Sequence, residues 1–164
     1  MIRAGALLLL LVVAQGRPTT GKVNSTFDKS ADFKALQTYS WVAGQHAFDP
    51  AVHKSIVAAI DAQMASLGLK KVESGGNATI RYLAVRSTSV DLDKLEALKK
   101  EGKDQAGADV TVGRLIIALE DAKAHRLWAA DSTEVMNPSA AERDAAIKAV
   151  VSRMFDTYPT RLKK

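Results

Sequence analysis

The side chains able to do chemistry are few. The chain has three histidines and no cysteine. A thiolate nucleophile, a zinc–thiolate centre and a disulfide scaffold are therefore excluded. His46, Asp49 and His53 make the best metal-like group. Two imidazoles on one helix face need a spacing of three or four inside the helix, and only His53 lies inside a helical pattern. Asp49 precedes Pro50 and suits a helix cap instead. His125 sits in "RLIIALEDAKAHRLWAADS", residues 114–132, between Glu120-Asp121 and Arg126. A catalytic histidine needs a nucleophile and an orienting group within reach. A hairpin tip points away from both, so an exposed turn residue is expected. Asp91, Asp93 and Glu96 lack the oxygen spacing and glycine bend of a calcium loop. "SGGN", 74–77, is followed by no lysine–serine pair and is read as a turn. No catalytic residue, metal ligand set or cofactor motif is expected. Three rings remain: Tyr39, Trp41 and Trp128. Aromatic residues on strands belong first to the core. If Trp41 and Trp128 faced away from the helices, they would form an exposed apolar patch and a candidate ligand site.

The elements that position these residues follow from periodicity. "KVNSTF", 22–27, and "TYSWV", 38–42, alternate like strands. Asp49-Pro50 opens a helix whose Val52, Ile56, Ile60 and Met64 fall on one face, and Gly68 closes it. "LKKVE", 69–73, and "ATIRYLAVRS", 78–87, follow as strands. Residues 88–109 form a solvated excursion with a helical turn or two at Leu92–Lys100. Strands resume from about Val110 to Leu119 and from Arg126 to Met136. Pro138 and the capping box of Ser139 and Glu142 announce a last helix. Its stripe is Ile147, Val150, Val151, Met154, Phe155 and Tyr158, and Pro159 stops it. The expected fold is α+β, a two-layer sandwich with two helices packed on one face of a mainly antiparallel sheet.

Length and composition fit one domain. The 164 residues are 47% hydrophobic and 25% charged, with a formal net charge of +5. That charge is scattered, without the basic stripe or aromatic platform that nucleic acid needs. "MIRAGALLLLLVVAQGR" has one basic residue, the apolar run Ala6–Ala14 and small residues after it. It has the form of a signal peptide cut after Gly16, and the run is short for a membrane span. Residues 1–16 are thus expected to be removed, 17–21 to be a linker and 22–164 a single domain. The mature protein would be periplasmic or secreted. An uncleaved N-terminus would be its only membrane contact.

Three stretches, in order, resemble one family. "DFKALQTYSW", 32–41, has the aspartate–phenylalanine pair (Asp32, Phe33) and the threonine-aromatic-x-tryptophan strand (Thr38, Tyr39, Trp41). "DPAVHKSIVAAIDAQMASLGLKKVE", 49–73, is a capped helix ending in "GL" before a strand. "LIIALEDAKAHRLWAADS" is an aliphatic strand, an aspartate-led turn and a leucine–tryptophan strand. Together these resemble the domain of unknown function 4136 family over roughly residues 27–158. The resemblance implies an exported bacterial envelope protein with a two-layer fold, and no activity. The anchoring cysteine common in that family is absent here, and Ala124-His125 stands where its late turn has a glycine. The expected function is a non-enzymatic binding or assembly module for an envelope protein or a small or lipidic ligand. The alternative is a small exported hydrolase using carboxylates and a histidine.

Overall fold

A computed structural model describes residues 21–42, 47, 49–136 and 140–161. The expected signal peptide, His46 and the Pro138–Ser139 half of the capping box lie outside them. The order is β1 (Val23–Phe27), β2 (Thr38–Trp41), α1 (Pro50–Ser66), β3 (Lys70–Lys71), β4 (Ala78–Val90) and α2 (Leu92–Lys100). After a 3-10 turn at Gln105–Ala108 come β5 (Asp109–Asp121), β6 (Arg126–Val135) and α3 (Ala140–Phe155).

Local chemistry sets the helix ends. The Asp49 carboxylate accepts from the amides of Ala51 (2.8 Å) and Val52 (3.4 Å), and Pro50 takes a position where no amide is needed. Gly68 follows α1 at φ +85, which glycine adopts without strain. Asp91 caps α2 through the Lys94 amide, with Asp93 in its first turn and Lys99 and Lys100 in its last. The Asp49 carboxyl is held below its usual pKa, chiefly by the Ala51 amide, with help from Val52 and Arg143. Its contribution is therefore full above the unfolded value near pH 4 and is lost as pH falls through the folded one. Asp49→Ala is expected to lower Tm at pH 7 by about 2–4 °C. The deficit should shrink in melts below about pH 4.

The six strands form one sheet in the order β1-β6-β5-β4-β2-β3. The β1/β6, β6/β5 and β5/β4 pairs are antiparallel, whereas β4/β2 and β2/β3 are parallel. The sheet is thus mixed, not mainly antiparallel as the short turns suggested. The cause is α1. It carries the chain from the end of β2 back to the start of β3, the crossover that parallel neighbours require. A third helix also corrects the expected count of two. The turn foreseen at Leu92–Lys100 is a full helix, and it buries none of its side chains.

Alternation along the strands builds the core. Ile80, Leu119 and Trp128 lie in one row across β4, β5 and β6, and Tyr82, Ile117 and Ala130 in the next. They join Ile56, Ile60 and Met64 of α1 and Val151, Met154 and Phe155 of α3 in one buried cluster. β4 and β5 pair over 13 residues each, from Ala78–Asp121 to Val90–Asp109. β6 accompanies them only as far as Val112–Val135, so the last rungs stand as a two-stranded arm ending in α2. "SGGN", read as a turn, lies in the link from β3 to β4 and is bent at Ser74 and Asn77 without a hydrogen-bonded turn. The Asn77 side-chain oxygen accepts from the Thr38 amide at 3.3 Å, and Gly76 lies against the β2 backbone, where a Cβ would come within 2.7 Å of it. Among the described residues, no helix is long and apolar enough to cross a membrane.

Candidate binding cleft

The residues singled out by type are put to structural use. Asp121 organises the β5–β6 turn, accepting from the amides of Lys123 (2.8 Å) and His125 (2.9 Å). Ala124 takes the left-handed conformation, φ 62, where a glycine would be at ease. The His125 imidazole lies 3.3 Å from the Asp121 carboxylate and is 73% exposed. His125→Ala is expected to change stability by no more than about 0.5 kcal/mol in a urea melt. A larger loss would mean that the imidazole does more than sit on the turn.

Asp49 pairs with Arg143 at 3.1 Å and joins the starts of α1 and α3. The His53 Nδ1 hydrogen-bonds with the Tyr82 hydroxyl at 2.6 Å. No group of three potential metal ligands occurs among the described residues. Asp91 and Asp93 belong to the start of α2.

The three rings fall into two places. Tyr39 and Trp41 share an acceptor: the Tyr39 hydroxyl and the Trp41 indole N–H both donate to Asp61 Oδ1 on α1, at 2.7 and 2.9 Å. Lys71 of β3 holds the other Asp61 oxygen at 2.9 Å. Trp128 lies three strands away, buried against Phe155 and Tyr158 with ring centroids 5.0 and 5.5 Å apart. Trp41 shares a sheet face with Ile80, as Trp128 does with Leu119, so both point toward the core. Asp61 was not foreseen from the sequence. Its one signal was a carboxylate next to Ile60 in an otherwise aliphatic part of α1.

An opening of about 270 Å³ lies where the N-terminal halves of α1 and α3 meet β4, β5 and β6. Its floor spans two rows of the sheet. Ala84, Leu115 and Ser132 form one row across the sheet, and Arg86, Gly113 and Glu134 form the next. Of the small residues here Ala84 is half-buried, Ser132 is fully buried, and Met136 lies over Gly113. The walls are Val52 and Ile56 from α1 and Ala146, Ile147 and Val150 from α3. Spacings of four on α1, and of three and four on α3, put these on one side of each helix.

The charges around this aliphatic cleft are nearly all paired. Glu134 pairs with Arg153 and accepts from the Ser132 hydroxyl (2.6 Å) and the Gly21 amide (2.8 Å). Arg143 pairs with Asp49, and Arg114 with Asp131 at 3.4 Å. Two features are left over. Arg86 has no carboxylate partner among the described residues, and the Arg143 Nε is buried without a hydrogen-bond acceptor. Among the described residues no imidazole lines the cleft, and the partly buried Glu134 carboxylate already serves Arg153. The arrangement suits holding an apolar group more than moving a proton.

Comparison with known proteins covers these same elements. The profile of a family described as Domain of unknown function (DUF4136) matches residues 23–160, from β1 to just beyond α3. The chain belongs to this family. Every element that walls the cleft lies within the DUF4136 match. No match is found among curated proteins. Among solved structures, a PDZ domain protein from Parabacteroides distasonis is similar, with 14% identity and a TM-score of 0.60. The similarity covers 88% of this chain but 36% of that one, so the DUF4136 chain spans about a third of its length. PelC from Paraburkholderia phytofirmans, crystallised as a dodecamer, is similar at 10% identity and a TM-score of 0.55, over 88% of this chain and 99% of that one. At these identities the likeness is one of fold.

Proposed function

We propose that this DUF4136 protein is an exported, non-enzymatic binding module of the cell envelope, and that it binds in the cleft between α1, α3 and the sheet. In this reading α1 and α3 together cover one face of the sheet, and the gap between their N-terminal halves is the site. The aliphatic cleft carries the reading: apolar walls from α1 and α3 face an opening of about 270 Å³ above the sheet. Export rests on the signal-like N-terminal sequence. The binding reading is preferred to a hydrolase because both carboxylates among the described lining residues are already paired, Glu134 with Arg153 and Asp49 with Arg143. Assembly into a larger oligomer is a compatible second role, favoured by the exposed outer strand β1 and by the dodecamer formed by PelC.

Two measurements test the proposal. The intact mass of the protein from separated cell fractions should lack Met1–Gly16 and appear in the periplasm or medium. A full-length cytoplasmic chain would overturn export. Native mass spectrometry of protein taken from its own envelope fraction should show a bound adduct that the cleft-filling variant Ala146→Phe lacks. Identical spectra would remove the cleft as the site.

A further inference from the structure

We propose that the occupant of the cleft is a single-chain fatty acid, its hydrocarbon between the helices and its carboxylate on Arg86. The inference rests on the cleft being the binding site and adds the chemistry of the ligand.

The walls ask for hydrocarbon. Val52 and Ile56 on one side and Ile147 and Val150 on the other present only aliphatic carbon. A chain between them removes apolar surface from water on both partners. The volume, about 270 Å³, sits just below the ~300–1,000 Å³ of ordinary small-molecule pockets. That is room for one slender chain and not for a two-chain lipid.

The mouth asks for an anion. Moving along β4 away from the core, Tyr82 is buried, Ala84 is half-buried and Arg86 is exposed, all on one sheet face. Arg86 thus stands one rung beyond the apolar floor, where the head of a bound amphiphile would emerge. The other two lining cations are paired, Arg143 with Asp49 and Arg114 with Asp131. Arg86 is the one lining cation without a partner among the described residues. A guanidinium presents parallel N–H donors that match a carboxylate at two points. The buried Arg143 Nε adds an unmet donor in the same wall.

Calorimetric titration with octanoate, decanoate and dodecanoate tests the inference, using protein from its native cells after lipid removal. One site is expected, with Kd falling about fourfold for each added methylene until the cleft is full. Arg86→Ala should weaken dodecanoate about tenfold and leave the uncharged dodecyl maltoside unaffected. Ala146→Phe should abolish binding while the far-UV circular dichroism stays native. Should that variant fail to fold, Ala84→Leu fills the same space from the floor. Absence of saturable dodecanoate binding, affinity independent of chain length, or an Arg86→Ala variant that binds unchanged would each overturn the fatty-acid assignment. If dodecanoate fails but Ala146→Phe still loses the native adduct, only the ligand class falls. If that adduct persists as well, the cleft falls with it.

Discussion

Trp128→Ala should destabilise the protein by about 3–5 kcal/mol. The indole is fully buried and touches Phe155 and Tyr158, so truncation removes the link between β6 and the end of α3. Against a total stability of about 5–15 kcal/mol, a substantial unfolded population is expected. Trp128→Phe is the informative control. It keeps an aromatic ring in place and loses an indole N–H that has no hydrogen-bond partner. Its cost should be less than half that of alanine. Urea denaturation followed by circular dichroism measures both. Equal losses would mean that the indole nitrogen matters and the packing does not.

Asp61→Ala has the second largest expected effect, about 2–4 kcal/mol. One carboxylate oxygen accepts from both Tyr39 and Trp41, and the other from Lys71. Removing it strands two donors at once, and the Tyr39 hydroxyl sits on a buried side chain. Asp61→Asn keeps one acceptor oxygen and should lose less than half as much. The same site gives an alkaline signature. Burial first, and then Asp61, push the Tyr39 phenol well above its ordinary pKa of 10.0, and burial alone raises Tyr158 to about 12. Both must stay neutral in the folded state while the unfolded chain ionises. Their contribution is thus intact below about pH 10 and is lost as pH rises through the folded values. Tm should fall above pH 10, and by less in Tyr158→Phe, whose lost hydroxyl has no partner.

Much of the fold was legible because its signals are local. Asp49-Pro50 and Gly68 bracket α1 to within a residue or two. The alternation at 78–87 marks β4, and Asp121 marks the turn before β6. The parallel half of the sheet was not legible. β2 and β3 are short, and their pairing is decided by how α1 returns the chain, not by any residue within them. The cleft was hidden for a related reason. Its floor combines Ala84, Gly113 and Ser132 from three strands, and small residues give no periodic signal. Gly113 alone offered a clue, since a glycine inside a strand often marks a close approach. Met136 does lie over it, at 3.2 Å from where a Cβ would stand. The Arg143–Asp49 pair was invisible because it joins residues 94 positions apart.

The placement of β1 has a consequence for how the molecule is made. β1 is among the first segments of the domain to be synthesised, yet its one partner strand among the described residues is β6. The Gly21–Glu134 hydrogen bond beside that pairing spans 113 residues. Closing so long a loop costs entropy before any contact repays it. The long β4–β5 ladder needs only the α2 excursion to fold back, so it can form first and serve as the template. β1 can take its place in the sheet only after β6 has been synthesised. Its sequence therefore bears on how long the finished sheet keeps an open edge, more than on whether the sheet begins to form.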